Sequence, residues 1–592
     1  MKTNRLLHYT VIALSFTAVI VTTAIVATPH LLENKHIRAQ ARVLLSKWAG
    51  GEFRIRGDIK VDYFLGAKFS ATDVEITKFD RTSGLKHFKA KQLSADISWL
   101  SLLSGTIGFN RLSIVSPEFT FSKDFISSDK SSSEKLTNSP LTRLIRKAAV
   151  NRVTIHNGRM KLWSEGNLQE ISNIYSKVYV SSRARIISGR SSFVYRDVPH
   201  HLTFRTKKKG IHNGVSHMYV KYSLKSELGA TDFQGNLEFH KSIQAIGKKN
   251  IRIHNIRDFS KWVGRPLPDG SGLKDFQLSA DMQLKDNKLT MSNSHLKMDG
   301  NNASGVLTVN LSDRNVDIGG TLDIPRLSLL PYAGQEKLTA SEKGVKKIPF
   351  HFLKYITADL RVSAGEITAP KFQAWSSAMA ISINSGKMLF DIADMRIFEG
   401  SARGQIEIDG DRVVPKISVQ GYLQNISTSH CLENITNNGV MEGRASVDVS
   451  LTAEGKTLNK IIESLAGKWT VKMAAGGQVN MDLINLFAQT TATPVKGWNS
   501  FKNGVTRFKN LDISSDMQDG TANIKTVMLA TDQRRYSGNG SIHIPNHSMN
   551  YQVTMSSHNE EDKADTVGSI NNIALQMKGH WNAPEIAINP KP

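Results

Sequence analysis

Ser446-Val447-Asp448-Val449-Ser450-Leu451-Thr452 alternates polar and apolar residues without a break. A period of two marks a strand whose successive side chains point to opposite faces, one apolar and one wet. Leu93-Ser94-Ala95-Asp96-Ile97-Ser98-Trp99 follows the same rule. So does Val306 to Ser312, with Leu307, Val309 and Leu311 opposite Thr308, Asn310 and Ser312. The fold class expected is mainly β: a long, curved, groove-like and repetitive antiparallel sheet with a few short helices.

Turn signals punctuate these stretches. Asn157-Gly158, between Val153-Thr154-Ile155 and Met160-Lys161-Leu162-Trp163, predicts a hairpin. Asp299-Gly300, Asp409-Gly410, Asn438-Gly439 and Asn539-Gly540 predict turns in the same way. A phrase also recurs: a turn with glycine, an alternating strand, a turn, a second alternating strand. It runs from Phe398 to Ile408 and on to Pro415–Val419, from Gly300 to Leu311 and on to Leu322, and from Ser537 to Ile544 and on to Met555. Such divergent repetition suits a sheet that grows by meandering. Helices are expected over Leu31 to Trp48, Pro140 to Val150 behind the cap Ser139, Leu458 to Ala466 and Met481 to Gln489. The Ser- and Lys-rich stretch Ser122 to Ser139 and the stretch Gln335 to Lys347 read as breaks.

Ahead of all this lies an uncharged run of 20 residues, Tyr9 to Thr28. At about 1.5 Å per helical residue it reaches about 30 Å, the thickness of a bilayer core. Val11, Ile12, Leu14, Phe16, Val19, Ile20, Val21, Ile25 and Val26 supply its apolar surface. A cleaved signal peptide is the other reading, but the run is long for one and Ile25-Val26-Ala27 makes a poor cleavage site. A retained single-pass membrane anchor is expected. Lys2 and Arg5 precede it, while Lys35, Arg38, Arg42 and Lys47 follow it, so flanking charge does not decide its orientation.

The 592 residues carry 76 Lys and Arg against 52 Asp and Glu, a net charge of +24. That balance favours acidic partners. No nucleic-acid motif accompanies the short basic clusters Arg205 to Lys209 and Lys248-Lys249, and no nucleic-acid partner is expected. Beside a membrane anchor, anionic headgroups are the simpler partner. The single cysteine, Cys431, excludes an intramolecular disulfide and any thiolate cluster. There is no phosphate loop, no His-Glu-x-x-His and no Gly-x-Ser-x-Gly. Ser132-Ser133-Glu134-Lys135 fits Ser-x-x-Lys only inside a polar linker, and Asp409-Gly410-Asp411 reads as a turn rather than a ligand pair. The chain is not expected to be an enzyme, to bind metal or to take a cofactor.

Two regions resemble the AsmA family. One begins at Gly50-Gly51-Glu52-Phe53-Arg54-Ile55-Arg56-Gly57-Asp58-Ile59, passes through Ala90 to Ile107 and closes at Arg111 to Phe119. The other comprises Gly443 to Thr452, Leu465-Ala466-Gly467, Gly476 to Leu483 and the closing Ile573 to Pro584. The resemblance divides the chain into an anchor (1–30), an AsmA-like helix-then-β region (31–125), a repetitive β region (138–400) and an AsmA-like C-terminal β region with short helices (401–592). It implies a Gram-negative inner-membrane protein with its bulk in the periplasm, active in outer-membrane biogenesis. Larger relatives are thought to move phospholipid along a β-sheet groove, and the family has no catalytic residues to carry over.

An acyl chain gives physical sense to such a groove. At about 0.8 kcal/mol per CH₂, a chain of about 16 carbons costs on the order of 12 kcal/mol to expose to water. Roughly 25–30 strands spaced about 4.8 Å apart would make a track of about 120–140 Å. The alternating sets are then candidate chain contacts: Leu93, Ala95, Ile97, Leu307, Val309, Leu311, Val447, Val449 and Leu451. The expected partners are the inner membrane and phospholipid acyl chains, with outer-membrane assembly or lipid-transfer proteins as further candidates. The rival expectation is an envelope assembly or regulatory factor that acts by protein contacts. Alternating strands usually mean an ordinary sandwich with a dry interior, and alternation alone does not distinguish a filled face from an open groove.

Overall fold

The alternating stretches fold as strands. A computed structural model of the chain describes residues 52–62, 67–77, 85–97, 109–121, 150–164, 167–212, 215–239, 243–267, 271–311, 316–332, 350–436, 440–489, 494–498, 504–557 and 573–588. Among the described residues are 33 strands and a few short helices, so the protein is mainly β. The expected anchor, Tyr9 to Thr28, and the expected helix Leu31 to Trp48 lie outside the described residues. Among the described residues no helix is long and apolar enough to cross a membrane. The chain divides into two compact units. The first holds residues up to His254 with Asp281–Asp286; the second holds Asn255–Ala280 and the chain from Asn287 onward.

In the first unit, Glu52–Ile55 and Ile59–Asp62 pair with Ala67–Thr77, which pairs with Leu85–Ile97. Leu85–Ile97 also pairs with Phe109–Val115 and Glu118–Phe121, and both of these run parallel to Arg152–Ser164. Antiparallel neighbours then follow in chain order: Asn167–Ser181, Ile186–Tyr195, Val198–His212, Val215–Ser226, Gly229–Phe239 and Ile243–Ile253. Phe53, Ala71, Val74, Ala95, Leu112 and Val153 are buried together where the unit starts.

In the second unit, Lys288–Met298, Asn301–Asn310 and Val316–Ser328 pair antiparallel, and Val316–Ser328 runs parallel to Ile356–Ala369. Phe372–Asn384, Lys387–Ile397, Gly400–Asp409, Lys416–Ser427, Met441–Glu454 and Ala466–Met473 continue antiparallel. Asn510–Gln518 pairs with Ala466–Met473, followed by Thr521–Ala530, Arg534–His543, Ser548–Ser557, Ile573–His580 and Glu585–Ile588. The start of Met441–Glu454 also joins Gly477–Val479 and Thr506–Phe508 in a small second sheet.

Three expectations are corrected by these pairings. The sheets are not wholly antiparallel. The two parallel joins, at Arg152–Ser164 and at Ile356–Ala369, each need a crossover connection, and the two sequence breaks fall in those connections. Asn157-Gly158 is not a hairpin but a bulge inside the continuous strand Arg152–Ser164, with the register shifting on both sides of Gly158. Beside the bulge, between the neighbouring strands Phe109–Val115 and Glu118–Phe121, sits Pro117, which has no amide hydrogen to donate. The bulge lets Ser116 N donate to His156 O at 2.7 Å and Arg159 N to Pro117 O at 2.7 Å. Asn539-Gly540 likewise sits inside Arg534–His543. There a Cβ on Gly540 would meet Asn550 O at 2.4 Å and Tyr551 Cα at 2.6 Å, so glycine serves a close strand approach.

The two-residue hairpins that do form have positive φ at both central residues, the geometry that matches strand twist. Asp299-Gly300 (φ 49 and 88) is one of them, as expected. Arg196-Asp197 (48 and 62) and Phe398-Glu399 (49 and 60) do the same without glycine. The expected boundary at 400/401 lies at this last turn, whose flanking strands pair from Lys387 to Asp409. Of the expected helices, Leu458–Glu463 forms behind the cap Thr457, and Leu483–Gln489 forms behind Asp482, whose Oδ1 accepts from Asn485 N at 2.9 Å. Of Pro140 to Val150 only Val150 is described, and it is buried.

Candidate functional site

Directly paired residues in a ladder share a face of the sheet, so the register of the second unit can be read as rows of side chains across strands. Leu307 pairs with Gly320, Gly320 with Leu360, Leu360 with Ile381, and Ile381 with Phe390. The row continues through Ile406, Val419 and Leu451. It then passes through Gly467, Met517, Ala522, Ile542 and Met549. No polar side chain interrupts it.

The neighbouring rows on the same face behave alike. Val309 leads through Ile318, Ala358, Ile383, Met388, Ile408 and Ile417 to Ala453. Leu322 leads through Val362, Met379, Ile392, Gly404 and Gly421 to Val449 and Trp469. The opposite face is polar: Thr321, Arg361, Ala380, Asp391, Gln405, Gln420, Ser450 and Lys468 form one of its rows.

This face brings together candidates that are far apart in sequence. Leu307 and Leu451 stand on one row, seven strands apart, about 34 Å at about 4.8 Å per strand. Val309 and Val449 lie on the two adjoining rows, and Val447 on the next, between Leu423 and Val471. Leu311 does not join them. It follows the end of Asn301–Asn310 and is 56% exposed, because alternation in the sequence outruns the strand. Leu93 and Ala95 belong to the first unit, where Ala95 is buried and Leu93 packs against the same core. Ile97 pairs with Phe109, and its side chain lies outside the described residues.

The apolar face has two regimes. Between Ile356 and Ser427 the row residues Leu360, Ile381, Phe390, Ile406 and Val419 are only half-buried. Among the described residues, the 3-10 turn His351–Tyr355 is the main element packed against the strands from Ile356 to Ile397 other than their sheet neighbours. Nearer the C-terminus the same face is filled. Met473, Leu511, Leu529, Tyr536 and Met555 form a row buried to 6% exposure or less, beneath Leu486 and Phe487 of the helix Leu483–Gln489. The Phe487 and Tyr536 rings lie 5.8 Å apart. Thr506 pins the helix start, accepting from Leu483 N at 3.0 Å and donating to Met481 O at 2.7 Å. Tyr551 sits in the filled part with its hydroxyl buried and without a partner among the described residues, and burial holds its phenol above the ordinary tyrosine range.

In the first unit one face carries Val220, Phe233 and Ala245, buried with Tyr222 and Leu237 against them. Lys249 also stands on this face, opposite Phe233. Its ammonium donates to Tyr222 Oη at 2.7 Å and Thr231 Oγ1 at 2.6 Å, and lies 4.9 Å from the Tyr222 ring centroid. Alternation in the sequence gave no hint of this half-buried cation, because Lys249 reads as one half of an exposed Lys-Lys pair. No group of three or more His, Cys, Asp or Glu among the described residues is placed to hold a metal ion.

The AsmA family model matches residues 272–527 of the chain. The match covers the apolar rows from Leu307 to Ala522 and part of the C-terminal resemblance; Ile542, Met549 and the N-terminal resemblance lie outside it. No curated protein matches the chain.

Proposed function

We propose, on the premise that residues 272–527 are an AsmA-family region, that the apolar face of the second unit holds phospholipid acyl chains and serves lipid balance between envelope membranes. One observation carries this reading: the row through Leu360, Ile381, Phe390, Ile406 and Val419 is uninterrupted, apolar and only half-buried. An apolar face left in water is costly in proportion to its area, and an acyl chain laid across it removes that cost for both partners. Tyr9 to Thr28 would hold the protein in the inner membrane by a single span, with the sheets in the periplasm. The reading requires no catalysis and no cofactor.

The rival reading is an assembly factor that binds envelope proteins. Its support is the turn between Asp409 and Lys416, where Val413 is 85% exposed. The test is a photo-crosslinking residue placed in the membrane-embedded full chain. Lipid adducts at Ile381 and Phe390, with none at Ser382 and Glu407 on the opposite face, are expected. Adducts on both faces, or protein adducts alone, would sink the acyl-chain reading.

A further inference from the structure

The polar face of the first unit carries charge that acyl-chain binding does not use. Between residues 171 and 253 the chain has 15 Lys and Arg against 4 Asp and Glu. Six of the cations, Lys177, Arg190, Arg205, Lys221, Lys225 and Lys248, are exposed on the face opposite Val220 and Phe233. Among the described residues no carboxylate forms an ion pair with any of the six.

Their placement works against the fold. Lys177 stands directly opposite Arg190, and Arg205 directly opposite Lys221. Like charges so placed destabilise an antiparallel pair. The same stretch forms two adjoining clefts of about 980 and 810 Å³ that share Thr203 and Phe204. Lys177, Arg190, Tyr175 and Tyr179 line the first, and Arg205, Lys221, Lys248 and Tyr219 the second. Asp232 is the one carboxylate in either lining. Tyr175 is 50% exposed, Tyr179 44% and Ile246 54%.

We propose that this face docks on the headgroup layer of an anionic phospholipid bilayer. The cations meet phosphate, the tyrosines take the level at which amphipathic rings sit in a bilayer interface, and Ile246 reaches the acyl boundary. A nucleic acid would use the cations and rings but would leave Ile246 in water. Headgroup phosphate also relieves the two like-charge pairs. The face is distinct from the apolar rows, so it adds a membrane contact beyond the anchor and does not depend on acyl-chain binding.

The test uses the full chain reconstituted in phosphatidylcholine nanodiscs and mixed with vesicles. Capture of vesicles containing phosphatidylglycerol at low salt is expected, with little capture of phosphatidylcholine vesicles and loss at high salt. Combining Lys177→Ser, Arg190→Ser, Arg205→Ser and Lys221→Ser should cut capture by about tenfold or more and leave Tm unchanged or higher, since two repulsive pairs are gone. Lys177→Arg with Lys221→Arg should retain capture. Undiminished capture by the serine variant would overturn the proposal. So would equal capture of neutral vesicles, or tighter binding of single-stranded DNA than of the anionic vesicles.

Discussion

One face of the second unit is built in two ways. From Ile356 to Ser427 the row through Leu360, Ile381, Phe390, Ile406 and Val419 is half-buried, beside the buried Val362 and Met379 of the next row; nearer the C-terminus the row Met473, Leu511, Leu529, Tyr536 and Met555 is sealed by Leu486 and Phe487. The alternation that generates the two stretches is the same. What differs is a helix of seven residues, Leu483–Gln489, laid over one of them. A strand pattern therefore makes an apolar face, and a separate element decides whether that face is core or surface.

The sharpest way to break the contrast is to damage the sealed end. Phe487→Ala should cost about 3–5 kcal/mol in chemical denaturation, as a cavity in a closed core does. A loss under about 1 kcal/mol would mean that the end is not closed. On the half-buried row, Phe390→Ser should cost less than Phe487→Ala, because Phe390 is half-buried where Phe487 is fully buried, while removing most lipid captured there. Val309→Glu and Val449→Glu should likewise reduce lipid capture without unfolding the protein; if they unfold it, those residues are ordinary core. Tyr551→Phe removes a buried hydroxyl that has no partner among the described residues, and should stabilise the sealed end by about 1 kcal/mol. In an alkaline absorbance titration the Tyr551 phenol should stay neutral after exposed tyrosines have ionised. The smallest effect concerns Cys431, whose thiol is pushed up by burial where its helix, Thr428–Thr436, packs on the sealed core. It should alkylate slowly at neutral pH, and faster in Phe487→Ala.

Much of this was legible before folding. Alternation placed Leu307, Val309, Val447, Val449 and Leu451 on apolar faces, because a period of two is a local property of the chain. That Leu307 and Leu451 share a row was not legible, because register accumulates through every turn between them. The turns themselves were legible only where glycine announced them. Arg196-Asp197 adopts the positive φ of a tight hairpin with no sequence signal, and at Phe398-Glu399 the glycine that marked the turn, Gly400, follows the two central residues. Asn157-Gly158 and Asn539-Gly540 carry the signal without the hairpin; their glycines instead face close neighbours, Pro117 and the backbone of Asn550-Tyr551. The six exposed cations were visible as residues in a basic stretch, but their common face appears only from the register.

The most direct measurement is lipid mass spectrometry on the full chain released gently from membranes, wild type beside Phe390→Ser. Phospholipid held by the wild type in excess of the variant, with both proteins folded, is the result expected if the open rows hold acyl chains. Equal lipid in the two folded proteins would contradict it and leave the half-open face to a protein partner.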